Sequence, residues 1–272
     1  MTSNTELRSL RVSLLQMEIA VGDTEANFAR LHRMMTEAAS ADPKPDVLVF
    51  PEMWNTGYAL DRIGELADSN GERTKEVIGS FCREHSIHAV AGSIAEKRED
   101  GVYNTTYVFD REGRVTAQYS KVHLFRLMDE EKHLLAGDRL VRADIDGIPA
   151  GLQICYDIRF PELSRTYALG GAKLLFVPAE WPHPRLAHWR TLLLARAIEN
   201  QTVVIACNRV GTSGTTSFFG HSMIIGPWGD ILLEGGEEEA ILTADVPVAE
   251  VEAVRRKIPV FEDRKPGLYR LD

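Results

Sequence analysis

Short runs with almost no polar residue constrain this chain more than any other feature. Val47-Leu48-Val49-Phe50 is one, and residues 173–177 and 203–207 are built the same way. A strand on a solvated sheet alternates apolar and polar side chains, whereas a continuously apolar strand is covered on both faces. Between these runs the spacing is helical. Phe28, Leu31, Met34, Met35 and Ala38 mark one helix within residues 25–40, and Val77, Ile78, Phe81 and Cys82 mark another within 71–85. Further helices are expected at 161–169, 184–200 and 247–256. Asp110-Arg111-Glu112-Gly113 is the turn of a hairpin joining 104–109 to 114–119, and a second hairpin-like pair joins 140–145 to 148–154. Strands are also expected at 11–17, 87–94, 218–225, 231–234 and 240–246.

Alternating strands and helices with inserted hairpins describe a mixed sheet with helices packed outside it. Two such layers face to face explain why the strands are apolar on both sides. The 272 residues suffice for a sizeable core, and neither a linker nor a low-complexity tract divides them. One α/β domain over 1–272 is therefore expected, with 257–272 as an extended C-terminal tail and 1–9 as a frayed leader. A net charge of −9 argues against a nucleic-acid footprint and against an anionic membrane surface. Cys82, Cys155 and Cys207 are odd in number and widely spaced, which fits neither a disulfide framework nor a zinc pattern and points to a reducing cytoplasm. No apolar run approaches the length of a membrane span.

Three ionisable residues share one description. Glu52 follows the strand 47–50, Lys121 follows 114–119, and Cys155 follows 148–154. Ligands of open α/β sheets bind at the carboxyl ends of strands, so a common edge would bring the three into one pocket. There a glutamate partly desolvated by Pro51, Trp54 and Phe50 is expected to have a raised pKa and act as a base, with the thiol as nucleophile and an ammonium together with the Tyr156 backbone N–H stabilising an oxyanion. The sum is acyl transfer through a thioester. Pro161 suits the first turn of the helix after the cysteine. Taken singly, Cys155 reads equally as a core cysteine and Lys121 as an exposed lysine.

Pro51-Glu52-Met53-Trp54-Asn55-Thr56-Gly57-Tyr58, then Tyr119-Ser120-Lys121-Val122-His123-Leu124-Phe125, then Cys155-Tyr156-Asp157-Ile158-Arg159-Phe160-Pro161-Glu162 resemble the three signature regions of the nitrilase superfamily of carbon–nitrogen hydrolases, in content and in order. The likeness runs from Arg11 to the region of Asp245. It implies a four-layer αββα sandwich with two mixed β-sheets and a catalytic triad of Glu52, Lys121 and Cys155, without cofactor or metal. It implies a homodimer or higher homo-oligomer, paired through the helices after Cys155 and before Gln201. Members of this superfamily carry a second active-site glutamate after the lysine. Glu130 is the choice here, with Glu131 its competitor.

Ala179-Glu180-Trp181-Pro182-His183-Pro184-Arg185 and Ala197-Ile198-Glu199-Asn200-Gln201 are similar to the ω-amidase-like branch. That branch releases ammonia from the terminal amide of 2-oxoglutaramate or 2-oxosuccinamate. An aliphatic nitrile or an N-carbamoyl compound would use the same triad, and a non-catalytic binding protein on this fold is the remaining alternative. A carboxylate-bearing substrate needs a further cation, for which Arg185 is the candidate. Tyr58, Tyr156 and Trp181 are expected to line the pocket. Asp157 and Arg159 are expected to fix the turn after the nucleophile, with Glu162 a partner for Arg159. Cys82 and Cys207 read as structural.

Overall fold

The computed structural model describes residues 9–269, so the leader at 1–8 and residues 270–272 lie outside the described residues. Two sheets dominate. The first has the order Ala240–Val246, Leu10–Gln16, Val47–Val49, His88–Val90, Gly101–Phe109, Ile94–Arg98, Asp68–Ser69, with Val115–Ser120 also paired to Gly101–Phe109. The second has the order Ile231–Glu234, Met223–Ile225, Val203–Asn208, Leu174–Ala179, Ile148–Leu152, Arg142–Ile145. Both mix parallel and antiparallel pairs.

Side-chain alternation along the first sheet separates two cores. Val12, Leu14, Val47, Val49, Val90 and Val108 turn inward, where they share one cluster with Leu152, Val177, Val204 and Ala206 of the second sheet. Leu15, Leu48, Ala89 and Phe109 turn outward against helices Thr24–Ala39 and Glu72–His85, meeting Phe28, Leu31, Ile78 and Phe81. Asp23 starts the first of these helices by accepting the Ala26 N–H at 3.0 Å, the N-cap expected before such a run. Helices Pro161–Leu169 and Leu186–Asn200 cover the other face of the second sheet through Leu163, Tyr167, Trp189, Leu193 and Ala197. The layers run helix, sheet, sheet, helix, as the αββα expectation has it.

Strand direction brings the site together. Val115–Ser120 is antiparallel to Gly101–Phe109, which is antiparallel to His88–Val90, so it runs with Val47–Val49. Ile148–Leu152, Leu174–Ala179 and Val203–Asn208 are mutually parallel, and a parallel bridge from Glu18 to Val210 aligns them with the first sheet. Glu52, Lys121 and Cys155 therefore emerge on one edge.

The expected strand 87–94 is two strands. The chain turns at Gly92, whose φ is +54°, and a Cβ there would sit 2.0 Å from the Pro51 carbonyl oxygen. After the turn, Ile94–Arg98 pairs with Gly101–Phe109 in a hairpin whose charged sequence hid it. Glu96 is buried against the Arg98 guanidinium, with Nε at 2.9 Å. The expected strand 218–225 likewise divides into Thr216–Phe219, hairpinned to Val210–Ser213, and Met223–Ile225. The tail is not simply extended. It carries short turns at Val260–Asp263 and Pro266–Leu268, and Phe261 lies between the guanidiniums of Arg165 and Arg255.

Candidate active site

Glu52 opens a tight turn at the end of Val47–Val49, where Met53 adopts a left-handed φ of +46°. The Met53 N–H donates to Ser93 Oγ at 2.9 Å and the Glu52 N–H to the Ala179 carbonyl at 3.3 Å, so both sheets hold the turn. The carboxylate is fully buried and well supplied with donors. Oε1 accepts from Tyr58 Oη at 2.7 Å, Asn104 Nδ2 at 2.8 Å and Lys121 Nζ at 2.8 Å. Oε2 accepts the Glu180 backbone N–H at 2.8 Å. Burial opposes its ionisation, but the charge and hydrogen bond of Lys121, with the hydrogen bonds of Tyr58 and Cys155, outweigh it and hold Glu52 below the usual carboxylate value, not above it as desolvation alone predicts.

Lys121 is equally buried. Its ammonium donates to Glu52 and to Glu130 Oε1, each at 2.8 Å. Against the cost of burial, these two carboxylates keep its pKa well above that of a free lysine. Glu130 is buried and also accepts the Phe125 N–H on Oε2 at 3.0 Å, whereas Glu131 is exposed. Burial and the nearby Glu52 charge raise Glu130, with Lys121 opposing. Asp129, just before it, is left-handed with φ +58°.

Cys155 itself takes φ +48°, an uncommon value for a residue with a side chain, and begins the short 3₁₀ turn Cys155–Arg159. Helix Pro161–Leu169 follows with Pro161 in its first turn. The thiol lies against Glu52, and burial together with that carboxylate raises it well above an ordinary cysteine, with Lys121 opposing.

Asp157 secures this turn, as expected for it. The fully buried carboxylate accepts the Ile154 N–H at 2.9 Å and Tyr119 Oη at 2.7 Å on Oδ2. Its Oδ1 accepts the His123 backbone N–H at 3.1 Å and His123 Nδ1 at 2.8 Å. Its donors lie one residue before Cys155 and two on either side of Lys121, so one side chain joins the two strand ends.

A narrow cavity opens onto Cys155. Tyr58, Phe125, Glu130, Tyr156, Glu180, Trp181, Arg159 and Arg185 are among its lining. The pocket positions expected from sequence are thus assembled, but two behave differently from expectation. Tyr58 is more than a wall, because its hydroxyl lies 2.7 Å from both Glu52 and Glu130. Arg159 does not pair with Glu162. It stands over Trp181 with 4.7 Å to the ring and donates from Nη2 toward His188 Nδ1 at 3.3 Å, and like Arg185 it lines the cavity. Trp181 is buried, donates from Nε1 to the Arg185 carbonyl at 3.1 Å, and packs on Trp189. Asn104 and Glu180 went unsingled in the sequence. Asn104 precedes its own hairpin turn by several residues and belongs to no motif, although its carbonyl accepts the Lys121 N–H at 2.9 Å.

Cys82 and Cys207 are buried away from this cavity, and burial raises both, Cys82 to about 12. Among the described residues no group of three His, Cys, Asp or Glu side chains is placed to hold a metal ion.

A sandwich of two mixed sheets, with a buried glutamate, lysine and cysteine at one edge, is the architecture of a carbon–nitrogen hydrolase. The chain belongs to the carbon–nitrogen hydrolase family, whose profile matches residues 11–256. It is 45% identical to a 2-oxoglutaramate amidase of Bacillus subtilis over 95% of this chain and 98% of that protein. It is 32% identical to an omega-amidase of Homo sapiens over 98% of this chain and 99% of that one. Among solved structures it resembles a mutant amidase of Nesterenkonia sp. AN1 that carries the acetamide moiety of fluoroacetamide covalently on its active-site cysteine. The TM-score is 0.82 at 27% identity, covering 96% of this chain and 95% of that one.

Proposed function

We propose that this chain hydrolyses the terminal amide of a small 2-oxo dicarboxylic acid monoamide, 2-oxoglutaramate or 2-oxosuccinamate, through a thioester on Cys155. The observation that carries this reading is a cavity lined by the Cys155 thiol, Glu130 and two guanidiniums, Arg159 and Arg185, with the buried Lys121 paired to both Glu130 and Glu52 behind it. The amidases it resembles are named for the same chemistry.

Glu52 accepts the thiol proton as sulfur attacks the amide carbon. The Lys121 ammonium and the Tyr156 N–H stabilise the tetrahedral oxyanion. Glu52 then gives its proton to the departing nitrogen, ammonia leaves, and a thioester remains. A water delivers a proton to Glu52 as its oxygen attacks the acyl carbon, and the thiol leaves with that proton. Glu130 holds Lys121 in place as its second carboxylate partner. Arg185 and Arg159 receive the distal carboxylate of the substrate, where a guanidinium offers paired donors.

The same reading makes the chain one domain that works in the cytoplasm and pairs with itself through helices Pro161–Leu169 and Leu186–Asn200. Exposed Leu169, Ile198 and Leu268 on those helices and the tail support that pairing. No described helix is long and apolar enough to cross a membrane.

Ammonia release from 2-oxoglutaramate, a neutral aliphatic amide, an aliphatic nitrile and an N-carbamoyl amino acid tests the substrate. Strong preference for 2-oxoglutaramate, weakened by Arg185→Ala mainly through a raised KM, is expected. Equal or better turnover of the nitrile or the neutral amide would overturn the carboxylate assignment.

A further inference from the structure

The mechanism above leaves one buried carboxyl in the cavity without a task. Glu180 is about 1% exposed, and it lines the same cavity as Cys155. Its Oε2 lies 3.4 Å from Arg209 Nη1, and Arg209 spends its remaining donors on the backbone, with Nε to the Val210 carbonyl at 3.1 Å and Nη2 to the Ile19 carbonyl at 2.8 Å. Oε1 of Glu180 is buried and meets no donor. A buried carboxyl oxygen without a partner is costly, so its retention beside a reactive thiol needs a reason.

We infer that Glu180 Oε1 accepts an N–H of the substrate carboxamide and thereby selects primary amides over acyl compounds that lack one. The inference rests on the amidase reading and deepens it. A primary amide brings two N–H donors into a pocket from which water is displaced, and each needs an acceptor. Glu52 cannot serve both. Its Oε1 already receives three donors, and Oε2 receives one and must face the thiol and the leaving nitrogen. That single occupant of Oε2 is the backbone N–H of Glu180 itself, at 2.8 Å. The residue therefore stands beside the point at which Glu52 protonates the leaving group, with its side chain reaching the same cavity. Burial, opposed by Arg209 and reinforced by the Glu52 charge, raises Glu180 to about 8. An incoming N–H favours the carboxylate, so amide binding and Glu180 ionisation support each other.

The test compares an amide with the ethyl ester of the same acyl chain, chosen as one on which the wild type releases ammonia and assayed on the alkaline side of that value. Both substrates form the same thioester, and kcat/KM reports its formation. In Glu180→Gln the side-chain oxygen remains with Arg209 and the NH2 group faces the cavity, replacing an acceptor by a donor. The amide-to-ester ratio of kcat/KM should then fall by about 10- to 100-fold, the range for a lost hydrogen bond to a charged group, while the ester itself changes little. Glu180→Leu combined with Arg209→Met removes both charges of the buried pair, an exchange that folded proteins tolerate, and should lower the ratio similarly. An unchanged ratio in folded variants, or equal losses on both substrates, would overturn the inference and leave Glu180 as a mere partner of Arg209. A wild type silent on every amide would overturn the amidase reading and the inference together.

Discussion

Asp157→Asn is the substitution whose outcome can be worked furthest from the structure. The buried carboxylate receives four donors, two on each oxygen. An amide has one acceptor oxygen, so two donors must face an NH2 group. Tyr119 Oη and the Ile154 N–H belong to fully buried residues and cannot turn to water, so the oxygen should stay with them. The NH2 group then faces His123, whose side chain is 31% exposed and can rotate away from it. The His123 backbone N–H cannot. One stranded backbone donor costs about 1–3 kcal/mol, and the weakened ring contact adds about 0.5–1.5 kcal/mol, giving a loss of about 1.5–4.5 kcal/mol. Urea denaturation followed by fluorescence should show that loss as a lower midpoint with little change in slope. Because His123 lies two residues beyond Lys121, the ammonium should shift relative to the thiol, and kcat should fall by about 10- to 100-fold with KM nearly unchanged. A variant with wild-type midpoint and wild-type kcat would show that Asp157 does not join the two strand ends.

Other expectations follow from the same geometry. Cys155→Ala should abolish ammonia release while the thermal midpoint stays within a few degrees, and a folded variant with full activity would remove the thioester from the mechanism. Lys121→Met leaves Glu52 and Glu130 buried without their shared cation, so stability should drop by about 3 kcal/mol or more and kcat by about 100-fold or more; wild-type values in denaturation and steady-state assays would contradict this. Glu52 has its folded-state pKa depressed, so its ionised form contributes stability that is present above the unfolded-state value near 4.5 and is lost as pH falls through the lower folded value. The acid-side fall of kcat/KM assigned to Glu52 should accordingly lie below the ordinary carboxylate range, and a limb well above it would contradict the pairing with Lys121. Iodoacetamide should label Cys155 ahead of Cys82 and Cys207, increasingly so as pH rises, because all three thiols are raised but only Cys155 meets the cavity; peptide mapping that finds Cys82 or Cys207 labelled first would contradict the assignment.

The layers were legible because apolar runs report double-sided burial, and the common edge because Glu52, Lys121 and Cys155 each stand just after an expected strand, 47–50, 114–119 and 148–154. The choice of Glu130 over Glu131 rests on resemblance, and its physical ground is visible only in three dimensions, where Glu130 is buried and Glu131 exposed. The left-handed Asp129 turns one of the two neighbouring carboxylates inward and leaves the other in solvent, and no local pattern fixes which. The hairpin Ile94–Arg98 with Gly101–Phe109 was missed because Glu96 and Arg98 neutralise one another inside the sheet, where isolated charges would be excluded. Asn104, Glu180 and the facing of Arg159 were illegible for a common reason. Their roles depend on which side chain they meet across the sandwich, and those partners lie tens of residues away, such as the 52 positions separating Asn104 from Glu52.

The central claim is a covalent acyl enzyme on Cys155. Rapid acid quench of the wild type turning over 2-oxoglutaramate, followed by peptide mass spectrometry, tests it most directly. An adduct with the mass of the amide substrate less ammonia is expected on the peptide containing Cys155, none on those containing Cys82 or Cys207, and neither adduct nor ammonia with Cys155→Ala. Ammonia release that persists in Cys155→Ala, or an adduct on another residue, would contradict it.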